Sequence, residues 1–163
     1  FSQALRSALR EDPDVILVGE MRDVDTMRLA LTAAETGHLV LASLHTQSAV
    51  QTVDRVVDSF PAAERAMVRS VLAESLQAVV AQTLLKTASG HGRVAAFEVM
   101  LASPAIRHQI RDDKVAQMYS TLQTSQALGM QTLDQALQQL VQRQQISPAS
   151  ARQHALDKTL FPG

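Results

Sequence analysis

The pattern of hydrophobic positions along the first 46 residues predicts a helix followed by a β-α-β unit. Residues 2–11 carry apolar residues at helical spacing, and Pro13 ends that predicted helix. The apolar run VILVG, at 15–19, is typical of a short strand buried on both faces of a parallel sheet. The helical period returns at 23–37, and a second buried strand is predicted from His38 to Thr46. These elements span about 30 residues, the length of a parallel crossover unit.

An apolar stripe defines each of the two predicted helices. The stripe of the first helix consists of Ala4, Leu5, Ala8 and Leu9. The stripe of the second helix consists of Met27, Leu31 and Ala34, and Gly37 marks the end of that helix.

The pattern predicts another helix at residues 48–60 and a long amphipathic helix from Pro61 to Leu85. We interpret the stripe of the long helix as core packing, because burial of each large apolar side chain contributes roughly 1.5–3 kcal/mol. That stripe consists of Met67, Val71, Leu72, Leu76, Val79 and Val80. Residues 82–101 have the pattern of two strands joined by a turn around Ser89 to Gly92.

After Pro104 the pattern changes to short helices, predicted at 105–111, 114–123, 132–143 and 148–157. Thr132 and Ser147 are predicted N-caps, with Pro148 at the first helical position. We therefore predict an α/β fold in two parts. Residues 1–101 form a parallel β-α-β unit with a β-hairpin, and residues 102–163 form a small helical domain.

Composition narrows the classes of function. The 163 residues are 46% hydrophobic, so a core can form, and 15 basic residues balance 16 acidic ones. This balance, with four Phe and one Tyr, gives no indication of a nucleic-acid partner. Without cysteine there is no disulfide and no thiolate metal site. Because the chain begins with Phe1 inside a helical pattern, we expect it to be a piece of a longer protein.

Functional groups follow both predicted strands. Glu20 comes directly after the first strand, and His45 and Thr46 end the second. Ligands of open parallel sheets bind outside the carboxyl ends of the strands. A carboxylate held there can orient a metal ion or a water, and in nucleotide hydrolysis it would lie beside magnesium and the transferred phosphate.

The residues alone leave other interpretations open. An acid after a strand is often a helix cap or a surface residue, and His38 and His45 could be ordinary polar strand ends. The seven-residue gap between the two histidines suits no common zinc spacing.

A resemblance to a known family favours the chemical interpretation. The segment LREDPDVILVGEMRDVDTMRLALTAAETGHLVLASLHTQSA is similar to the Walker B and histidine-box region of the secretion ATPase superfamily, the hexameric motors of type II secretion and type IV pili. The similarity continues through TVDRVVDSFP, MVRSVLAESLQAVVAQTLL, GRVAAFEVM, PAIRHQIRDDKVAQMYSTLQT and GMQTLDQAL. Within the superfamily the chain most resembles the twitching-motility retraction ATPases. AIRHQIRDD resembles their AIRNLIRE motif and differs from it at His108, Gln109 and Asp112.

The resemblance implies a RecA-like core with C-terminal helices, and ATP and Mg²⁺ as cofactors. It makes Glu20 the Walker B acid that helps to place Mg²⁺, through a water, and makes His38 and His45 the histidine box, with His45 on the γ-phosphate side. The phosphate loop GxxxxGK[ST] is absent from these 163 residues, so we expect the chain alone to be inactive.

The resemblance also assigns the AIRNLIRE-like motif a role in coupling hydrolysis to retraction. Its residues are Ala105, Ile106, Arg107, Ile110 and Arg111. On a helix the two isoleucines share one face and the two arginines share a neighbouring face. We expect the isoleucines to pack on the core and the arginines to contact a group in the same subunit or in a neighbour.

The expected parent protein is a homo-hexameric ATPase that drives pilus retraction. It would lie on the cytoplasmic face of the inner membrane, with the pilus platform protein and a paralogous retraction ATPase as its expected partners. Two alternatives stay open at this point. One is a sibling motor, either the paralogous retraction ATPase or an assembly or type II secretion ATPase. The other is a non-catalytic module that docks on the platform protein or on full-length subunits.

Overall fold

The structure is a computed structural model that describes residues 3, 7, 11 and 13–161. The stripe predicted for the first helix, Ala4 to Leu9, lies outside the described residues. The strands are β1 Val15–Val18, β2 Leu39–Ala42, β3 Ala78–Lys86 and β4 Arg93–Leu101. The helices are α1 Val24–Glu35, α2 Ala49–Asp58, α3 Arg65–Ser75, α4 Pro104–Arg111, α5 Val115–Thr124, α6 Leu133–Gln142 and α7 Pro148–His154. Short 3₁₀ turns lie at Gln126–Leu128 and Lys158–Leu160.

The contacts divide the chain into two compact units. The first unit comprises residues 1–46, 50–77 and 102–116, and the second comprises 47–49, 78–101 and 117–163. The β3-β4 hairpin therefore groups with the later helices. The predicted domains, in contrast, are two continuous segments that meet near residue 102, and this boundary stays a prediction.

In the first unit β1 and β2 pair in parallel, in a register that runs from Val15 opposite Leu39 to Val18 opposite Ala42. The α/β class and the parallel β-α-β unit are thus confirmed. Burial of β1 on both faces is wrong for the described residues. Ile16 and Val18 pack against Ala33 of α1, but Leu17 is 77% exposed. The second strand is also shorter than predicted, so His38 and His45 lie outside it.

Helix α1 is set by its caps. The Asp23 carboxylate accepts hydrogen bonds from the backbone N–H of Thr26 at 2.8 Å and from its hydroxyl at 2.8 Å. The helix ends at Glu35, and Gly37 adopts a φ of 102°, which glycine accommodates without steric cost. The buried face centres on Met27, with Ala30 and Ala33, while Leu31 and Ala34 are only half-buried.

The predicted long helix from Pro61 to Leu85 is wrong. α3 ends at Ser75, and β3 begins three residues later at Ala78. Met67 and Val80 of the predicted core stripe are 57% and 60% exposed. The segment after α3 pairs with β4 over nine residue pairs, and this ladder with a distant segment overrides the local helical spacing.

The second unit contains the β3-β4 hairpin, which confirms the predicted pair of strands. Helices α6 and α7 begin at the predicted caps. Thr132 and Gln135 form a reciprocal capping box, and Ser147 caps α7 with Pro148 in its first turn. The core of this unit consists of Leu85, Ala96, Ala136, Leu137, Leu140, Ile146, Ala151, Ala155 and Phe161.

Candidate functional site

The carboxyl ends of β1 and β2 are tied together by backbone contacts. The N–H of Met21 donates to the carbonyl of Ser43 at 3.0 Å. The Ser43 hydroxyl donates to the carbonyl of Gly19. The segments that follow the two strands therefore leave the sheet side by side, at the edge where parallel sheets bind ligands.

This arrangement brings together Glu20 and His45, two residues that the sequence singled out at the ends of the strands. One carboxylate oxygen of Glu20 lies 2.8 Å from Nε2 of His45, and the other lies 2.7 Å from a guanidinium nitrogen of Arg22. The Glu20 side chain is 19% exposed, whereas that of His45 is 86% exposed. Glu20, fixed at the end of a strand, is thus shielded from solvent, whereas the imidazole of His45 that contacts it is exposed.

Arg22 is a site residue that sequence reasoning missed. The available signal was a cation two positions after the acid, in GEMRD. The hydrogen bond from Arg22 is the main cause that holds the pKa of Glu20 below its usual range. Partial desolvation opposes this effect, and the charges of Arg22 and His45 add to it. Glu20 is consequently a carboxylate, not a carboxylic acid, at neutral pH.

His38, the other predicted histidine, makes different contacts. Its Nδ1 lies 2.9 Å from the Ala33 carbonyl, to which it can only donate, and 3.2 Å from the Thr36 hydroxyl. The ring thus closes the end of α1, where carbonyls lack helical partners. In the part of the chain that the structure describes, no hydrogen bond joins His38 to Glu20 or His45.

The loop that carries His45 is fixed at its far side as well. The hydroxyls of Thr46 and Thr52 lie 2.7 Å apart, which links the end of the loop to helix α2. His45 therefore projects from a segment tied at Ser43 and again at Thr46.

A magnesium ion would find a partial site here. Glu20 offers the oxygen donors that Mg²⁺ prefers. Among residues 13–161, however, no three His, Asp or Glu side chains are grouped as a metal site. The residues fit a contribution of one carboxylate, through a water, to an ion held mainly by phosphate oxygens.

The AIRNLIRE-like motif forms helix α4. Ser103 caps it by accepting from the N–H of Ile106, and Pro104 lies in its first turn. Ile106 and Ile110 are both fully buried, which confirms the predicted packing face.

The arginines of this helix contact the same unit of the same chain. One guanidinium nitrogen of Arg107 donates to the carbonyls of Ala73 and Glu74, at 2.7 and 2.6 Å. These carbonyls belong to the last turn of α3. Arg111 lies 3.8 Å from the Glu74 carboxylate, a looser and exposed pair.

A parallel β-α-β unit thus holds a carboxylate and a histidine at adjoining strand ends, the edge where open parallel sheets bind ligands. The chain belongs to the type II/IV secretion system protein family, whose model matches residues 1–159.

Two curated relatives are similar over 155 residues, 95% of this chain. The chain is 67% identical to the type IV pilus retraction ATPase PilT of Pseudomonas aeruginosa, of which it covers 45%. It is 63% identical to a twitching motility protein of Neisseria gonorrhoeae, of which it covers 41%. Identity to the P. aeruginosa pilus ATPase PilU is 43% over the same length. The expected resemblance to the retraction branch is thus confirmed, and the chain spans less than half the length of these relatives.

Solved structures agree with this assignment. The pilus retraction motor PilT with bound ADP superposes with a TM-score of 0.87 at 46% identity, over 97% of this chain and 44% of that one. The ATPase DotB of Legionella pneumophila gives a TM-score of 0.81 at 28% identity, over 93% of this chain and 41% of that one. The α/β fold is therefore that of the family's ATPases.

Proposed function

We propose that this chain is part of an ATPase that drives type IV pilus retraction. The observation that carries the proposal is the ionised Glu20 carboxylate, held at the end of β1 and paired with His45 at 2.8 Å. Similarity to PilT, a retraction motor whose structure contains ADP, supports extension of nucleotide binding to this protein.

Each site residue has a proposed role. Glu20 would hold Mg²⁺ through a water when Mg-ATP is bound, and the ion would supply charge neutralisation of the phosphates. His45 would face the γ-phosphate side. Its Nε2 donates to Glu20, so Nδ1 is the nitrogen left to contact a phosphate oxygen, and it donates there when the ring carries both protons. Arg22 keeps Glu20 ionised and fixes its rotamer. His38 supports the end of α1 and the start of β2, and through them the strand that leads to His45.

The proposed partners rest on the resemblance of the sequence to the secretion ATPase superfamily. We propose a homo-hexamer that works at the cytoplasmic face of the inner membrane, against the pilus platform protein and with a paralogous retraction ATPase. Helix α4 would couple the nucleotide state to retraction through Arg107 and Arg111. Among the described residues, no helix is long and apolar enough to cross a membrane.

The test is Glu20→Gln in the full-length protein, which keeps the shape of the side chain and removes its charge. We expect ATP turnover to fall by at least ~100-fold, because the acid acts on the reacting groups. Hexamer assembly should be unchanged, and the unfolding free energy should stay within about 1 kcal/mol of the wild type. Steady-state ATPase assays, sedimentation and denaturant unfolding measure the three quantities.

Glu35→Gln is the matched control. It makes the same change at an exposed carboxylate that ends α1. Its turnover should equal that of the wild type. Near-normal turnover of the Glu20→Gln variant would remove Glu20 from the mechanism.

A further inference from the structure

A cavity of about 280 Å³ lies in the second unit, apart from the residues assigned above. One wall is the end of the β3-β4 hairpin, with Lys86 and Arg93. The other wall is helix α7, with Ser150, Gln153 and His154. None of the described residues that line the cavity carries a carboxylate.

The two cations of the hairpin wall face each other across the strands. Lys86 of β3 and Arg93 of β4 are register partners in the antiparallel ladder. Side chains of such partners project on the same face, about 4.5–5.5 Å apart at Cβ, and like charges directly opposite each other are destabilising. Among the described residues, neither cation forms an ion pair with a carboxylate. The hairpin therefore ends in a repulsion that no described acid offsets.

The helical wall adds hydrogen-bonding groups without negative charge. Ser150, Gln153 and His154 are spaced by three and four residues, so they share one face of α7. Their hydroxyl, amide and imidazole groups can all donate to an anion. The helix is anchored by Ala151, which is fully buried in the core of the unit.

We propose that this cavity binds a phosphate-type anion. A guanidinium can bind two phosphate oxygens at once, while an ammonium acts as a compact charge, so the pair suits one phosphate group. An anion between them would relieve the repulsion of Lys86 and Arg93. The volume lies just below the range for small-molecule pockets, roughly 300–1,000 Å³, which favours a small ligand or a single headgroup. The phosphate could be free in solution or part of an anionic lipid.

The test uses the full-length protein with ring-labelled histidine, and His154→Gln assigns the His154 signal. Potassium phosphate is titrated against potassium chloride at equal ionic strength. In parallel, vesicles of phosphatidylcholine are compared with vesicles that contain phosphatidic acid. We expect a saturable change of the His154 signal with free phosphate or with phosphatidic acid, and the arm that responds identifies the source.

A matched pair of double variants tests the cations. Lys86→Gln with Arg93→Gln should weaken phosphate binding at least tenfold. Arg152→Gln with Lys158→Gln removes the same charges from exposed residues outside the cavity, and should leave binding unchanged. In phosphate-free buffer the first variant should unfold at a temperature no lower than the wild type, since it loses a repulsion. Lys86→Arg keeps the charge and should keep binding, which guards against a folding defect.

The proposal is overturned if chloride shifts the His154 signal as phosphate does. Equal loss of binding in both double variants would overturn it as well, because the charges would then act only as a general field. The proposal is also overturned if the His154 signal changes neither with phosphate nor with phosphatidic acid.

Discussion

At the residue scale, the site depends on a contrast between two side chains. Glu20 is fixed at the end of a strand and mostly shielded, while His45 projects into solvent. The pKa of Glu20 is lowered in the folded chain, so its ion pair with Arg22 persists at neutral pH. This pair is lost only as the pH falls through the lowered pKa, below the usual value of 4.5.

The two histidines should respond differently to removal. His45→Ala in the full-length protein should lower ATP turnover at least ~10-fold and leave the unfolding temperature unchanged, because the ring is 86% exposed. His38→Ala removes a hydrogen bond to the Ala33 carbonyl, so it should lower the unfolding temperature. Turnover assays and thermal unfolding of both variants give the comparison. Unfolding of the His45→Ala protein would make that histidine structural instead of catalytic.

At the element scale, side-chain contacts at helix ends hold neighbouring elements together. Arg107 of α4 donates to the last carbonyls of α3, which have no helical partner, and its charge complements the negative end of the helix dipole. Asp134 of α6 similarly accepts from the N–H groups of Leu156 and Asp157, both at 2.9 Å. Such contacts fix how neighbouring elements are placed, in addition to the packing of their apolar faces.

The two arginines of α4 are therefore not equivalent as probes of coupling. Arg107→Ala should cost about 1 kcal/mol of unfolding free energy through the lost cap, whereas Arg111→Ala should be nearly neutral because its pair is long and exposed. Arg111→Ala in the full-length protein should keep hexamers and at least half the ATPase rate, yet reduce twitching strongly. Twitching zones and ATPase assays at matched protein levels measure this. Normal twitching of the Arg111→Ala strain would leave α4 a packing helix.

A buried acid in β4 gives an element-scale prediction on pH. Glu98 is 4% exposed and accepts from the N–H groups of Ala49, at 2.7 Å, and Leu133, at 3.3 Å. Burial is the main cause that raises its pKa, with a smaller contribution from the charge of Asp134, and the two N–H groups oppose the rise. The folded chain therefore holds the Glu98 proton more tightly than the unfolded chain, whose pKa is near 4.5.

The contribution of Glu98 to the unfolding free energy of the wild type should therefore be lost as the pH rises from about 4.5 through the raised pKa. Glu98→Gln lacks this titration, so its unfolding free energy should rise relative to the wild type over the same window and stay level above it. Denaturant unfolding of both proteins at about pH 4 to 8 measures the difference. This range includes the unfolded pKa and extends above it, as the linkage relation requires. Parallel curves for variant and wild type would show that Glu98 titrates alike in both states.

At the scale of the whole molecule, this chain carries one side of the proposed site. It holds Glu20 and His45 but no GxxxxGK[ST] loop within its 163 residues. That loop supplies the backbone amides and the lysine that bind the phosphates in enzymes of this type.

The 163-residue chain by itself should therefore not hydrolyse ATP. A steady-state phosphate-release assay with Mg²⁺ would measure this, with the full-length protein as the positive control. Circular dichroism shows in the same sample whether the chain is folded. Turnover of the folded chain at the rate of the full-length protein would contradict the prediction.

The sequence alone determined those features that depend on neighbours in the chain. The apolar run of β1, the caps at Thr132 and Ser147, and the hairpin turn are local signals, and each occurs where it was predicted. The meeting of Glu20 with His45 was predictable too, because parallel strands deliver their carboxyl ends to one edge.

Only the tertiary structure decided the features that depend on distant partners. The segment after Ser75 has apolar spacing that suits a helix, but nine pairs with β4 make it a strand from Ala78 onward. The partners of Arg22, Arg107 and Glu98 are likewise absent from the pattern, since a charged side chain carries no local mark of the group it will contact. Periodicity records which face of an element is apolar, whereas the packing of distant segments determines which faces become buried and which charges meet.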